Sequence, residues 1–330
     1  MIDYISVNKV IELDEWAFAE GRWAKGTLDT GEVYLWAKIA GVIVRYYWDS
    51  QRLMVLGKLI TLLYNSQVQN FDDIYGGMRD EFLDAVNDRL NGLFMEPVID
   101  LREFVVTRID YCFNIETPYV QEYLAFLSRA FQKTDTGARV DHTAKYGLHG
   151  SVYIKNASEY NKNVRYNYTL NIYDKLDRLR YQKSRGMPIR QSDLALAENV
   201  LRIEVQASHV FVKYLCQKLG IERIFDALFD YNVALYAIQT AYRRAFRAEE
   251  TWDFFTYSEA KKRVGRDSAA GQLLYSAATN HNVSGSKYAY KRKKVAGYGI
   301  YPFCVLPKDS PVPVLENPVK LVRKKIRPFL

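Results

Sequence analysis

The sequence predicts an α+β fold with a central antiparallel sheet, flanking helices and a helical C-terminal extension. Before His209, short segments with the two-residue alternation of strands are interspersed with amphipathic segments of helical spacing. From His209 onward the pattern is almost continuous helix, until periodicity fades past about Gly271. Apolar residues make up 48% of the chain and aromatic residues 14%, which favours a well-packed globular body.

In the first third, two β-rich runs flank a predicted turn at Asp49-Ser50. A helix then follows, because its apolar residues recur at helical spacing: Phe82, Leu83, Val86, Leu90 and Leu93. The remaining predicted elements before His209 are a helix over 119–131, a hairpin over 151–175 with its turn at 157–163, a helix over 191–200 and a strand over 201–206.

Three predicted strands place polar side chains opposite an apolar face. In 168–175 the apolar set is Tyr168, Leu170 and Ile172, and the polar set is Thr169, Asn171, Tyr173 and Lys175. In 105–113 the inward set is Val105, Thr107, Ile109, Tyr111 and Phe113, and the outward set is Arg108 and Asp110. In 201–206 Leu201, Ile203 and Val205 oppose Arg202, Glu204 and Gln206. If these strands are neighbours, one face gathers Asp110, Tyr173, Lys175 and Glu204.

These residue types suit phosphoryl transfer. The phenol of Tyr173 lies two residues from Lys175, and a nearby cation favours the phenolate and steadies charge on a phosphate. Asp110 and Glu204 supply the hard oxygen ligands that Mg²⁺ or Mn²⁺ prefers. Alternatively, Tyr173 is an ordinary strand tyrosine, and the two carboxylates form cross-strand ion pairs with Arg108 and Arg202.

Composition narrows the setting of the protein. The N-terminal segment carries acidic residues where a signal peptide has a basic region and an apolar core, and no run is long enough to span a bilayer. Cys112, Cys216 and Cys304 are widely spaced, which favours free thiols over a disulfide framework or a zinc site. We therefore expect a cytoplasmic protein without a membrane partner.

Positive charge is concentrated at the C-terminal end. Residues 281–330 hold eleven of the 46 Lys and Arg and two of the 38 acidic residues, which gives this segment a net charge of +9. Because the whole chain has a net charge of +8, residues 1–280 together carry −1. The run of four cations Lys291, Arg292, Lys293 and Lys294 directly follows Tyr288 and Tyr290, so positive charge lies beside aromatic rings. This pattern predicts contact with the backbone and bases of DNA, although a solubilising tail has the same composition.

The composition shifts suggest three parts: a domain over 1–218, a helical extension over 219–280 and a basic, proline-containing tail over 281–330. A single α+β body with a helical extension fits the pattern nearly as well.

Five segments in order resemble the gene II/X replication initiators of filamentous phages and related plasmids. The opening strand is MIDYISV, the mid-domain strand and loop is LMVLGKLITLLYNSQVQNF, and a "(T/S)RID" strand is found in VTRIDYCF. A hairpin ending in an aliphatic-x-Tyr-x-Lys strand lies in GSVYIKNASEYNKNVRYNYTLNIYDK, and an "LxRxE" strand with its helix lies in VLRIEVQASHVFVKYLCQKLGIERIFDAL. The resemblance covers roughly residues 1–235, and its specificity rests on the ordered set.

The resemblance implies a rolling-circle endonuclease fold and a site-specific DNA nickase that starts rolling-circle replication. By motif, Tyr173 is the catalytic tyrosine, Lys175 its adjacent lysine, and Asp110 and Glu204 the metal-associated acids. Further predicted DNA contacts are Arg108, Lys155, Arg165 and Arg202. The wider class often binds metal through a His-hydrophobe-His pair, which is missing here, although His149 is a possible third ligand.

The implied partners are origin DNA, single-stranded or locally melted, and a host helicase and DNA polymerase in a bacterial cell. A separate helicase is expected because the sequence has no G-x-x-x-x-G-K-[ST] motif. Two alternatives stay open: a plasmid mobilisation relaxase with the same chemistry, and a non-catalytic origin-binding protein or repressor.

Overall fold

The computed structural model of the protein contains a ten-stranded, wholly antiparallel sheet. Its strand order is β2-β3-β4-β5-β1-β6-β10-β9-β8-β7. The structure describes residues 1–132 except 65 and 67, residues 139–140 and 151–155, and residues 168–329 except 247–248, 250, 280–286, 303–304 and 307. The strands are β1 Ile2–Val10, β2 Ala24–Thr27, β3 Val33–Ile39, β4 Val42–Tyr47, β5 Arg52–Gly57, β6 Val105–Glu116, β7 Arg139–Val140, β8 Ser151–Lys155, β9 Tyr168–Asp174 and β10 Val200–Ala207.

Thirteen α-helices occur in the described part of the chain. They are α1 Ile60–Leu63, α2 Phe71–Tyr75, α3 Arg79–Asn91, α4 Val120–Gln132, α5 Lys175–Ser184, α6 Gln191–Leu196, α7 His209–Leu219, α8 Phe225–Leu228, α9 Tyr231–Phe246, α10 Tyr257–Val264, α11 Ser268–Ala278, α12 Lys287–Gly297 and α13 Pro318–Ile326. A two-stranded sheet pairs β11 Phe254–Phe255 with β12 Val314–Leu315. No helix among these is long and apolar enough to cross a membrane. The α+β class predicted from the sequence is therefore confirmed.

The main hydrophobic core lies on one face of the sheet. Leu201, Ile203 and Val205 of β10 are fully buried there, as their alternation predicts. They share one apolar cluster with residues of α3, α4, α7 and α9. The opposite face of the same strands carries their polar side chains.

The three strands singled out by their polar residues are neighbours. β10 lies between β6 and β9, and both pairings are antiparallel. The prediction that one face of a shared sheet collects the polar side chains is therefore confirmed at the level of topology.

The inward set predicted for β6 is partly wrong because of a β-bulge. Ser6 pairs with Arg108 and Val7 with Val106, so Thr107 has no partner on β1. The extra residue shifts the alternation, and Val106 is buried whereas Thr107 is only partly buried. The predicted inward positions Ile109, Tyr111 and Phe113 lie beyond the bulge and are fully buried.

The C-terminal segment is more regular than its prolines indicate. It forms α12, β12 and α13, although the sequence predicts that regular structure fades there. Val319, Val322 and Ile326 of α13 belong to the main apolar cluster, and Lys325 donates to the Asn114 carbonyl of β6. The helix α13 is therefore packed on the sheet body.

Candidate active site

Directly opposed residues on β6, β10 and β9 form three polar rows across the sheet. The rows are Asn114–Arg202–Tyr173, Cys112–Glu204–Asn171 and Asp110–Gln206–Thr169. Tyr4 of β1 extends the last row, because it pairs with Asp110. The predicted site residues Asp110, Tyr173 and Glu204 therefore share one face within three successive rows.

The hydroxyl of Tyr173 donates a hydrogen bond to Glu204 Oε2 at 3.1 Å. Tyr173 is partly exposed, whereas Glu204 is buried. Burial of the phenol and the neighbouring Glu204 carboxylate raise the pKa of Tyr173 well above its usual value, while Arg202 opposes the shift. The sequence predicts the opposite direction, with a cation favouring the phenolate. In this arrangement the phenol needs a base to lose its proton, and Glu204 is within reach.

Glu204 is held by three donors. Its Oε1 accepts hydrogen bonds from Gln206 Nε2 at 2.7 Å and from Asn171 Nδ2 at 3.3 Å, and its Oε2 accepts from Tyr173. The donors come from Glu204's own strand and from β9, so the sheet fixes the carboxylate. Asn171 Oδ1 is buried without a hydrogen-bond partner among the described residues, so an acceptor beside Glu204 is left open.

Arg202, predicted to contact DNA, is instead fully buried. Its guanidinium donates to the carbonyl of Val68 at 2.8 Å and to three side-chain oxygens: Asn70 Oδ1 at 2.8 Å, Asn114 Oδ1 at 2.9 Å and Asp3 Oδ1 at 3.0 Å. Periodicity identifies the face of this arginine but not its depth under the segment that contains Val68. A DNA contact would require these bonds to break, so Arg202 is a structural anchor of the site.

Sequence reasoning missed Asp3, which lies at a bulge in β1. Ile2 pairs with Tyr111 and Tyr4 with Asp110, so Asp3 lacks a partner on β6. Its carboxylate bonds to Arg202 at 3.0 Å and to Lys58 Nζ at 2.9 Å. Lys58, Arg202 and Lys175 hold the pKa of Asp3 well below its usual value despite burial of the carboxyl. The available signal was the acidic residue at the start of this strand, between the buried Met1–Ile2 pair and the buried Ile5.

The sequence predicts that Lys175 continues the strand, but in the structure it is the first residue of α5. Asp174 caps this helix, since its Oδ1 accepts from the Leu176 and Asp177 amides at 2.9 and 3.3 Å. Lys175 is 95% buried, and no carboxylate among the described residues lies within 4.0 Å of its ammonium. Burial, together with Arg202 and Lys58, lowers the pKa of Lys175 well below its usual value.

Asp110 forms an ion pair with Arg108, a partner named by the alternative that the sequence leaves open, but the pair lies within β6 rather than between strands. Arg108 Nε and Nη2 donate to its two carboxylate oxygens at 2.9 and 2.7 Å. The carboxyl is buried and Arg108 is 42% exposed. Burial raises the pKa of Asp110 to about 7, and this effect exceeds the lowering by Arg108.

The carboxylates do not form a ready metal site in this arrangement. Both oxygens of Asp110 accept from Arg108, and both oxygens of Glu204 accept from neutral donors. Across the described ranges, no group of three or more His, Cys, Asp or Glu side chains is placed to hold an ion. Mg²⁺ is commonly held by one or two carboxylates together with waters and substrate phosphates, so an ion here would have to replace these hydrogen bonds. His149, a predicted third ligand, lies outside the described residues.

The other predicted DNA contacts are dispersed. Arg165 lies outside the described residues, and Lys155 pairs through its backbone with Thr169 on β9. The basic run lies on α12, where Tyr290 is 57% exposed and the Lys294 ammonium is 5.7 Å from its ring centre. Lys293 and Lys294 are exposed, and Lys294 also lies 3.8 Å from Asp267. Tyr288 is on the same helix.

No protein-family model matches the chain, and no curated protein matches it at a significant level.

Proposed function

We propose that the protein is a site-specific, single-strand DNA nickase and ligase that initiates rolling-circle replication through Tyr173. The hydrogen bond of 3.1 Å between the Tyr173 hydroxyl and Glu204 is the observation that carries this proposal. It pairs a partly exposed nucleophile with a fixed proton acceptor, which is the arrangement that covalent catalysis requires. The ordered resemblance to gene II/X initiators supplies the substrate class.

In the proposed reaction the Tyr173 oxygen attacks the scissile phosphorus of the origin strand while Glu204 accepts the phenolic proton. The bond between phosphorus and the 3′ oxygen breaks, and that oxygen takes a proton from water and becomes a free 3′-OH, while Glu204 later returns its proton to the solvent. The new bond is a tyrosyl 5′-phosphodiester. Because the exchange replaces one phosphodiester by another, the reverse step reseals the strand.

Lys175 is proposed to neutralise the phosphate at this step. Its buried ammonium lies near the cations Arg202 and Lys58, whose charges the Asp3 and Glu204 carboxylates offset only in part, and it has no ion-pair partner within the described ranges. An anion beside it would relieve the unfavourable burial of its charge. The 3′-OH then primes a host polymerase, and a host helicase separates the strands.

Dependence on Mg²⁺ or Mn²⁺ remains a prediction. Asp110 and Glu204 would be the protein ligands, which requires each to exchange a present hydrogen bond for the ion. A bound divalent ion would polarise the scissile phosphate and stabilise developing charge.

Tyr173→Phe tests the nucleophile. The change removes only the attacking oxygen, so we expect nicking of a labelled origin oligonucleotide and the covalent adduct to vanish while binding persists. Tyr275→Phe is the matched control, because Tyr275 is 58% exposed on α11, and it should leave the adduct intact. Mass spectrometry locates the adduct.

An adduct on another tyrosine, or unchanged cleavage by Tyr173→Phe, contradicts the proposed nucleophile. Origin binding by the wild type without any adduct favours a non-catalytic origin-binding protein. The same assay with a chelator tests the metal: full activity without divalent ions rules out that part of the proposal.

A further inference from the structure

The polar face that carries Tyr173 continues across the N-terminal strands as a surface of cations and aromatic rings. Two rows cross β3, β4, β5 and β1: Tyr34–Tyr47–Arg52–Val10 and Trp36–Arg45–Met54–Asn8. The next row, Lys38–Ile43–Leu56–Ser6, reaches Arg108 on β6. We call these three rows the ribbon face. Tyr4 lies two residues before Ser6 on β1 and leads to Asp110 and the site.

Arginine–aromatic pairs recur along this path. The guanidinium of Arg45 lies 5.6 Å from the ring centre of Tyr34, and that of Arg52 lies 5.4 Å from Tyr47. Arg108 repeats the arrangement at 4.8 Å from Tyr4, at the border of the site. A guanidinium that lies over a ring keeps its edge available for a phosphate.

The donors of the ribbon face are incompletely used. Nε of Arg45 and Nε of Arg52 are buried and have no hydrogen-bond partner among the described residues. No carboxylate occurs among the side chains of the three rows, whereas Lys38, Arg45 and Arg52 bring three positive charges. Trp36 is 37% exposed on the same face and Lys38 is exposed as well. The surface therefore offers cations for a polyanion and flat rings for stacking.

We propose that the ribbon face binds single-stranded DNA and leads the strand across β1 to Tyr173. Phosphates would contact Arg45, Arg52 and Lys38, and bases would stack on Trp36, because the Tyr34 ring is already covered by Arg45. Charge complementarity and continuity with the site through the Ser6–Arg108 pair support this occupant. The inference rests on the proposed function for the identity of the strand as substrate, but binding itself can be measured without cleavage.

The test is fluorescence anisotropy of full-length protein with a labelled oligothymidylate of about 30 nucleotides, titrated at several salt concentrations. Trp36→Ala should weaken binding by about 5- to 100-fold through lost stacking. Arg45→Gln with Arg52→Gln should weaken binding and reduce the slope of log affinity against log salt by about 1.4, for two single-strand phosphate contacts.

Arg22→Gln with Lys25→Gln is the matched control. It removes the same charge from exposed residues beside the same strands, but Lys25 pairs with Leu35 and so lies on the opposite face of β2. This control should leave the salt slope nearly unchanged. Equal losses in the control and the ribbon-face variants would overturn the proposal, because net charge alone would then explain the effect.

Photocrosslinking of wild-type protein to a bromodeoxyuridine oligonucleotide covers the case in which a variant misfolds. Crosslinked peptides containing Tyr34 or Trp36 support the proposal, and crosslinks confined to other strands or helices overturn it. Origin nicking is assayed separately. If the protein binds DNA through the ribbon face but does not nick the origin, the proposed function is refuted and the ribbon-face proposal is kept. If the protein nicks the origin but its DNA binding does not depend on ribbon-face residues, the ribbon-face proposal is refuted and the proposed function is kept.

Discussion

At the residue scale, two kinds of polar group occupy the site face. Arg202 makes four hydrogen bonds within the protein and is fully buried, so its role is to hold β6, β10 and the opening strand in register. Tyr173 makes one such bond, and its side chain is partly exposed. This difference in available hydrogen-bonding capacity supports Tyr173, rather than Arg202, as the proposed reactive group of this row.

Asp110 should make stability depend on pH. Its pKa is about 7 in the folded protein, above the ordinary 3.8, so the folded state binds the proton more tightly than the unfolded state does. The contribution of the protonated Asp110 to the free energy of unfolding is therefore complete below about pH 4. It decreases as the pH rises toward 7, by at most about 1.4 kcal/mol per pH unit. Urea unfolding between these pH values, in chelator, measures the slope.

Asp110→Asn is the comparison for that slope. The variant cannot titrate, so its stability should fall less between pH 4 and 7 than that of the wild type. Identical pH profiles for the two proteins would show that Asp110 is already ionised across this range, with the Arg108 ion pair outweighing burial.

Sequence reasoning located the face of the site residues but not their depth. Alternation places Tyr173, Glu204 and Asp110 on one side, because side-chain direction follows strand periodicity. It does not reveal that Val68 and Asn70 cover Arg202, since that contact joins positions more than 130 residues apart. Periodicity leaves open whether β6, β10 and β9 are neighbours, and the sheet order shows that they are.

At the element scale, single-residue irregularities made some face assignments from strand periodicity wrong. The bulges at Asp3 and Thr107 each insert one residue into the pairing of β1 with β6. Such a bulge has no clear sequence signature, and it reverses every face assignment on one side of it. Likewise, strand periodicity continues formally to Lys175, although Asp174 already caps α5.

The cap of α5 should affect both stability and nicking. Asp174→Ala removes the acceptor of the Leu176 and Asp177 amides and the 2.8 Å bond from Gln121 Nε2. We expect a loss of about 1 kcal/mol in the free energy of unfolding. Nicking should also fall at temperatures where the variant is folded, because the cap fixes the turn between Tyr173 and Lys175. Urea unfolding and the oligonucleotide assay measure the two effects.

Asp174→Asn is the matched control, since its amide oxygen can accept the same backbone bonds. It should keep most of the stability and activity that Asp174→Ala loses. Equal unfolding midpoints for Asp174→Ala and the wild type would show that the cap is dispensable.

At the scale of the whole molecule, the sheet joins distant parts of the chain. The N-terminal strands β2 to β5 and the site strands β6, β9 and β10 meet at β1, which pairs with β5 and β6. Sequence pattern predicted individual hairpins but not this junction, because strand order depends on long-range packing. The same limit applies at the C-terminal end, where Tyr301 and Leu306 join the main core.

The packing of the C-terminal segment decides how its charge should be tested. Deleting residues 281–330 would remove Val319, Val322 and Ile326 from the core, so loss of binding could reflect unfolding. Changing Lys291, Arg292, Lys293 and Lys294 to Ala keeps α12, whose buried Val295 packs with Leu273 and Leu274 of α11. The four-alanine variant is therefore the informative one.

This variant should lower DNA affinity similarly for origin and random sequences, because phosphate contacts carry no sequence information. If all four cations contact single-stranded phosphates, the salt slope should fall by about 3. A control with four exposed lysines changed to Ala elsewhere, at Lys25, Lys213, Lys218 and Lys262, removes the same net charge. Anisotropy titrations at several salt concentrations compare the two proteins. Equal salt slopes for the two variants would assign the effect to overall charge and leave α12 as a solvated helix. A smaller salt slope for the α12 variant alone would identify α12 as a second DNA contact in addition to the ribbon face.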